Sequence, residues 1–316
     1  MSRKTALNIF KALLAVTILV LIGRQFYLDL TSEQLSAITF HPGWLVASAA
    51  LYLAGLSTWG LFWYRLMRLF DQQLTLPVAM RAYFLGQLGK YIPGKAWALL
   101  IRADQASGPG VVFGISIVTA FYEVLTSMAA GALLAAIVFF VEPPEFYGIQ
   151  FPPYLTGLIL LSCCGAPLLP GVFNMLAQRL AQKFPSLDAF QAPKLGLDVL
   201  LQGIALTSVG WLAMGLSVWA CLASVIDPAP PLTLGSWFYY CAIVGLAYVL
   251  GFAAVVVPGG FGVREWVLKE FLQFVPGSTL ASLAAGVLLL RLAWTAGEFV
   301  AGAALYALVR RKGKSS

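Results

Sequence analysis

The sequence predicts an all-α, polytopic integral membrane protein with seven to eight transmembrane helices and two broken or re-entrant segments. Of its 316 residues, 60% are hydrophobic and only 10% are charged. The apolar residues also occur in runs of about 20, the length that an α-helix needs to cross a bilayer. A water-soluble domain of this length could not bury the apolar surface implied by a mean hydropathy of +0.85. We therefore expect one membrane domain over residues 1–316.

Seven apolar windows are long enough to cross the membrane. They lie at 6–23, 43–64, 111–141, 154–175, 198–225, 236–257 and 279–308. Tryptophan and tyrosine residues cluster near several of the window ends, which is typical of the membrane–water interface. The windows 111–141 and 279–308 exceed the length of a perpendicular crossing, so we expect them to tilt or to project beyond the bilayer.

Lysine and arginine residues indicate which loops are cytoplasmic, because short loops rich in these residues stay on that side. Basic residues precede the first window and follow the second and fourth, whereas the loop after the third carries Glu142 and Glu145 without a basic residue. We therefore expect a cytoplasmic N-terminus and a cytoplasmic basic tail at 310–314, in the cytoplasmic (inner) membrane. Seven crossings would leave that tail outside, so we expect residues 258–276 to add an eighth, interrupted crossing.

The chain carries a formal net charge of +7. Membrane orientation and anionic lipid headgroups account for the basic loops that produce this charge. Membrane lipids with an anionic or phosphate headgroup are therefore the expected partners, and the charge does not require nucleic acid.

The first broken segment, residues 76–110, is too polar for an ordinary span and too apolar for a loop. Its centre reads GKYIPGK at 89–95, a Pro-Gly break with a lysine on either side. Because proline interrupts helical hydrogen bonding, this pattern predicts two half-helices that dip into the membrane. The residues assigned here to substrate binding are Lys90, Pro93, Gly94, Lys95 and Arg102.

The second broken segment lies in VVVPGGFGVREWVLKEF at 255–271, where an apolar run stops at Pro-Gly-Gly and resumes with four charged residues. A charged side chain at the bilayer centre costs at least ~2.5 kcal/mol, so these charges predict a shielded polar interior, the floor of a substrate cavity. Backbone N–H groups at a helix start and a nearby arginine favour an anion, and we expect a phosphate headgroup. The binding residues assigned here are Gly260, Gly262, Arg264 and Glu265.

The two breaks have similar sequences. Each places Pro-Gly before a basic amphipathic helix, and a long span follows. Such pairing predicts an internal repeat with a binding site at the interface between its halves.

The spans beside the breaks contain further charges, Glu123 in the third window and Arg291 and Glu298 in the last. Arg291 and Glu298 are seven residues apart and therefore share one helix face. They could line the cavity with Glu123, Arg264 or Glu265, or they could form ion pairs that hold helices together. Both interpretations remain open at the level of sequence.

Residues typical of metal sites and catalytic centres are scarce. The chain has a single histidine, His41, and its four cysteines lie in apolar runs without metal-type spacing. No nucleotide-binding loop or nucleophile elbow is present. We therefore expect no metal, no cofactor and no enzymatic activity.

Three stretches resemble the transmembrane region of the lysylphosphatidylglycerol synthase family, a flippase-like membrane domain. They are LGKYIPGKAWALLIR at 88–102, VVVPGGFGVREWVLKEFL at 255–272 and LLLRLAWTAGEFVAG at 288–302. The residues to which the resemblance gives a role are Lys90, Pro93, Gly94, Gly260, Gly262, Arg264, Glu265 and Arg291. One departure concerns the third span, where many relatives have a Glu-Arg pair but Val124 follows Glu123 here.

The resemblance implies a transporter that moves a phosphate-bearing lipid, of the aminoacylated, polyprenyl-linked or hopanoid type, between membrane leaflets. The chain shows no soluble synthase domain of the kind that fused relatives carry, so we expect that it does not synthesise such a lipid. A membrane-embedded lipid-modifying enzyme is one alternative. Another is a membrane scaffold for a separate lipid synthase or glycosyltransferase.

Overall fold

A computed structural model describes most of the chain from Thr39 to Val309. The described ranges are 39–92, 97–141, 145–146, 149–150, 171–175, 196–253, 260 and 262–309, with isolated positions 24, 27, 28, 159, 162, 165, 166 and 169. The predicted windows 6–23 and most of 154–175, and the basic tail at 310–314, lie outside the described residues.

Helices make up nearly all of the described structure. They are α1 (Pro42–Leu69), α2 (Leu76–Leu88), a 3₁₀ turn (Gly89–Tyr91), α3 (Trp97–Ala106), α4 (Phe113–Val141), α5 (Leu197–Ala223), α6 (Leu234–Ala253), α7 (Val263–Leu272) and α8 (Leu280–Leu308). A two-residue antiparallel pair joins β1 (Glu145–Phe146) to β2 (Ile149–Gln150).

Five of these helices, α1, α4, α5, α6 and α8, are long and apolar enough to cross a membrane. They coincide with five of the seven predicted windows, and this confirms the prediction of a helical, multi-pass membrane protein. Lipid does not drive apolar helices together as water does, so close packing must hold such a bundle. Gly245 of α6 meets this need, because a methyl group there would lie 2.9 Å from the backbone oxygen of Gly131 in α4.

Hydrogen bonds between helix ends define the two ends of the bundle. At the His41 end, the His41 amide donates to the Ser224 carbonyl at 2.9 Å, which places the start of α1 beside the end of α5. At the opposite Leu69 end, where α1 finishes, the Gln73 amide donates to the Gly110 carbonyl at 2.9 Å. The chain therefore leaves this end at Gln73 and returns to it at Gly110.

The segment between those two residues is a hairpin of α2 and α3. Arg81, only 2% exposed, fixes its base by donating to the carbonyls of Val309 at 2.9 Å and Gln105 at 3.1 Å. Both carbonyls lie at or near helix C-termini, where a cation interacts favourably with the helix dipole. The end of α8 therefore lies at the Leu69 end, so α8 runs through the bundle in the same direction as α1.

Helix α7 runs toward the His41 end of the bundle. Near its C-terminus the Phe271 carbonyl accepts from the Tyr239 hydroxyl at 3.0 Å, close to the start of α6. Its N-terminal turn instead lies beside Gly251, near the end of α6, where a methyl group would lie 2.4 Å from Cγ of Arg264. Helix α7 thus folds back along α6, and α2 and α7 approach the middle of the bundle from opposite ends.

Candidate functional site

The two broken segments meet at Arg291 of α8. This residue lies 11 positions after Leu280 and 17 before Leu308, or about 16 Å and 26 Å along the helix from its ends. Its guanidinium carbon is 5.8 Å from the ring centre of Tyr91, at the tip of the α2–α3 hairpin. Its Nε is 3.5 Å from a carboxylate oxygen of Glu265 in α7. The site is therefore deep in the bundle.

About two turns further along the same face of α8, Glu298 binds the hairpin tip. Its carboxylate is fully buried, and it forms an ion pair with Lys90 and accepts a hydrogen bond from Tyr52. The Tyr91 hydroxyl also lies 2.9 Å from its second oxygen and 2.9 Å from the Thr295 hydroxyl. Because these donors compensate the cost of burying the carboxylate, the tip is held firmly against α8.

At the second break, the backbone itself explains two of the glycines. Gly262 has φ +82° and Gly260 has φ +68°, a region that residues with a Cβ atom seldom adopt. Gly260 also packs so closely on α6 that a methyl group would lie 2.8 Å from the backbone of Gly251. The turn places the Gly262 N–H at the start of α7, where it donates to Glu265 Oε2 at 2.6 Å.

Arg264 is the cation of this break that faces no counter-ion among the described residues. Its side chain is only 9% exposed and its Nε has no hydrogen-bond partner. The guanidinium carbon lies 3.7 Å from the ring centre of Tyr248, and that ring packs edge-on against Trp59 and Trp211. A cation over an aromatic face is stabilised without losing its hydrogen-bond donors, so the guanidinium stays available for an anion.

A small cleft opens beside this arginine. Its charged lining consists of Arg264, Arg291 and Glu265, and its aromatic lining of Tyr248 and Trp294. The remaining lining side chains are Val244, Ala247, Leu268, Val287 and Leu290. An apolar cleft with a few convergent polar groups is typical of a small-molecule site, and two guanidinium groups favour a phosphate or carboxylate over a neutral group.

A comparison with known protein families identifies the chain. A model described as the lysylphosphatidylglycerol synthase TM region matches residues 8–302. The chain belongs to this family. The match covers both broken segments, α1, α4, α5 and α6 in full, and α8 as far as residue 302. It confirms the resemblance that the three sequence stretches indicate. No curated protein matches the chain.

The sequence-predicted residues of this family member fall into three groups in the structure. Arg264, Glu265 and Arg291 line the cleft, and Lys90 and Glu298 form the adjoining ion pair at the hairpin tip. Arg102 and Glu123 pair with each other instead, at 2.6 Å, and do not line the cleft. Pro93, Gly94 and Lys95 lie outside the described residues.

The Arg102–Glu123 pair is fully buried and well enclosed. The Tyr83 hydroxyl donates to a carboxylate oxygen of Glu123 at 3.3 Å. The Arg102 guanidinium carbon lies 4.3 Å from the ring centre of Tyr83 and 5.3 Å from that of Trp63. This buried pair joins α3 to α4. Arg291 pairs with Glu265 inside the cleft, and Glu298 pairs with Lys90 at the hairpin tip.

Sequence reasoning missed the aromatic residues that complete the site. Tyr52 stacks on Trp294 with ring centres 4.3 Å apart, Tyr91 bridges Glu298 and Arg291, and Tyr248 supports Arg264. A tyrosine or tryptophan within an apolar run resembles a packing or interface residue, so the sequence carried no signal for the roles of Tyr52, Trp294 and Tyr248. For Tyr91 the signal was its position, directly after Lys90 and before the break.

Two further basic residues are buried. Arg81 is a buried helical residue that binds helix C-termini, although its position after the second window resembles that of an orientation-setting loop charge. Lys269 is 5% exposed, which excludes a side chain extended freely toward the membrane interface. Within the described ranges, no three His, Cys, Asp or Glu side chains cluster closely enough to share a metal ion.

Proposed function

We propose that this protein moves a phosphate-bearing lipid between the leaflets of the cytoplasmic membrane without changing the lipid chemically. The observation that carries this proposal is the buried Arg264 guanidinium, which faces a cleft and has no counter-ion among the described residues. A buried charge is costly unless it is paired. A lipid phosphate supplies the missing charge, and the acyl chains remain in the bilayer beside the apolar lining of the cleft.

The directions of the helices support a route from both sides. The hairpin of α2 and α3 starts and ends at the Leu69 end, and its helices of 13 and 10 residues are too short to cross a bilayer. We infer that this hairpin is re-entrant. The α7 segment reaches the same depth from the His41 end, so the headgroup has a polar path of reduced length on either side of the cleft.

The same geometry supports a cytoplasmic basic tail, which the expected eight crossings from a cytoplasmic N-terminus require. Val309 lies at the Leu69 end, beside Arg81, and the basic tail follows it in sequence. Arg65 and Arg68 also lie near this end, in the last turns of α1. Because loops rich in lysine and arginine stay in the cytoplasm, we infer that the Leu69 end faces the cytoplasm.

The test is leaflet exchange in vesicles that contain the purified protein and trace fluorescent lipid. Phosphatidylglycerol, an aminoacylated phosphatidylglycerol and a polyprenyl phosphate are compared. Arg264→Ala should lower exchange roughly tenfold to a hundredfold, because charge-assisted hydrogen bonds contribute about 1.5–3 kcal/mol. Arg264→Lys should retain part of the activity, since lysine keeps the charge but loses the planar fork.

The matched control is Arg68→Ala, which removes an exposed arginine of α1 far from the cleft. It should exchange lipid as the unmodified protein does. Undiminished exchange by a folded Arg264→Ala protein contradicts the proposed site. Mass spectrometry of the recovered lipid tests the enzyme alternative, since a changed headgroup would replace transport with lipid modification.

We propose that a separate lipid synthase or glycosyltransferase supplies the lipid, because the headgroup must be attached before transport. Co-purification of such an enzyme, combined with no exchange by the isolated protein, would favour the scaffold alternative.

A further inference from the structure

The Glu265 carboxylate already occupies donors that a lipid phosphate needs. One oxygen accepts the Gly262 N–H at 2.6 Å, at the start of α7, and the other lies 3.5 Å from Arg291 Nε. Both groups are natural ligands of a phosphate, since helix N-termini and guanidinium groups are standard anion sites. The Glu265 carboxylate therefore contacts groups that would otherwise be available to a bound phosphate.

The two contacts of this carboxylate differ in strength. The bond to Gly262 is short, whereas the Arg291 contact is an ion pair at 3.5 Å and Arg291 Nε makes no aligned hydrogen bond. The contact to Arg291 is therefore the weaker one. Arg264, on the same cleft wall, makes neither kind of contact with Glu265. An incoming phosphate thus finds one guanidinium without a carboxylate contact and a second whose contact with Glu265 is the weaker of the two that this carboxylate makes.

We propose that Glu265 is an internal competitor that lowers the affinity of the cleft for phosphate and thereby speeds its release. This inference rests on the proposed function and specifies how the same site lets go of its ligand. Phosphate binds first to Arg264 and then displaces the Glu265 carboxylate from Arg291. When the carboxylate returns to Arg291, it neutralises the cation and weakens the hold on phosphate.

The competitor also sets the charge preference of the cleft. Two arginines and one glutamate give the empty cleft a formal charge of +1, which matches a single phosphodiester. Without the carboxylate the charge is +2, and the cleft holds an anion more tightly. An affinity that is too high slows transport, because a carrier must release its ligand on the far side. Glu265 therefore lowers the affinity of the cleft for the anion and raises the rate of transport.

The experiment compares Glu265→Gln with the unmodified protein in detergent micelles by isothermal titration calorimetry. Dihexanoyl phosphatidylglycerol and inorganic phosphate are the two probes, and they separate a lipid headgroup from free phosphate. Glutamine retains an oxygen that can accept the Gly262 N–H, so the helix start is preserved. Thermal unfolding verifies the fold. Glu270→Gln, on the same helix outside the cleft, is the matched control.

We expect Glu265→Gln to bind dihexanoyl phosphatidylglycerol about tenfold more tightly and to exchange lipid more slowly at saturating lipid. A gain for both probes assigns the site to phosphate in general, and a gain for the lipid alone assigns it to a lipid headgroup. Equal or weaker binding of both probes by a folded Glu265→Gln protein overturns the competitor role and leaves Glu265 as a helix cap. Arg264→Ala separates the two hypotheses, because unchanged binding in that variant contradicts the site itself.

Discussion

Lys90 and Glu298 form an ion pair between residues that are 208 positions apart in the sequence. The pair joins the tip of the α2–α3 hairpin to the middle of α8, in a place where Glu298 is fully buried. The same face of α8 carries Arg291. Helix α8 therefore binds the hairpin through the Glu298 carboxylate and α7 through the Arg291 guanidinium. The charges of α8 therefore determine how the two broken segments are arranged.

Replacing Lys90 with alanine should destabilise the protein by about 3 kcal/mol or more, because it leaves the Glu298 carboxylate buried without its cation. The double variant Lys90→Met with Glu298→Gln should recover most of this loss, since it removes both charges. Thermal unfolding in detergent, followed by tryptophan fluorescence, measures both proteins. A double variant no more stable than the single one would show that the ion pair is not what stabilises this contact.

Gly251→Ala should reduce lipid exchange although alanine is the better helix former by ~1 kcal/mol. The added methyl group would lie 2.4 Å from Cγ of Arg264, close to the backbone rather than at a flexible end, so the arginine must leave its position over Tyr248. Leaflet exchange in vesicles measures the effect. Gly235→Ala in the same helix is the control, because its nearest contact, 3.8 Å, is an ordinary one. Full activity of Gly251→Ala would show that the cleft tolerates a displaced arginine.

Single cysteines at Ser107 and Ser278 should react with an impermeant thiol reagent from opposite sides of the membrane. Ser107 follows the hairpin at the Leu69 end, and Ser278 lies between α7 and α8 at the His41 end. The background should lack the four native cysteines. In intact cells, the residue at 278 should be labelled and the residue at 107 protected until the membrane is opened. Labelling of both from outside would contradict a re-entrant hairpin that opens to the cytoplasm.

The sequence was sufficient to predict the long helices and the face shared by Arg291 and Glu298, because hydropathy and helical spacing are local properties. It could not assign partners. Glu298 pairs with Lys90 and Glu123 with Arg102, and these choices depend on how α2 and α3 fold back into the bundle. No local pattern encodes that path, and the same applies to the ring of Tyr248 beneath Arg264.

The internal repeat stays a prediction, but the structure gives it a geometric form. The hairpin reaches Arg291 from the Leu69 end and α7 reaches it from the His41 end. Two similar sequence elements that approach one point from opposite sides are what an inverted repeat would produce. Sequence alone left open whether the elements shared a side, since a Pro-Gly break has no direction.

The depth of Arg291 has an electrical consequence. At about 16 Å from one end of α8 and 26 Å from the other, the cleft beside it lies part-way through the voltage drop across an energised membrane. An elementary charge that crosses the whole membrane gains or loses about 2.3 kcal/mol per 100 mV. At a potential of about 100 mV, the binding energy of an anion held about half-way therefore changes by roughly 1.1 kcal/mol, which alters its occupancy about sevenfold. Occupancy of the cleft would then depend on the energised state of the cell.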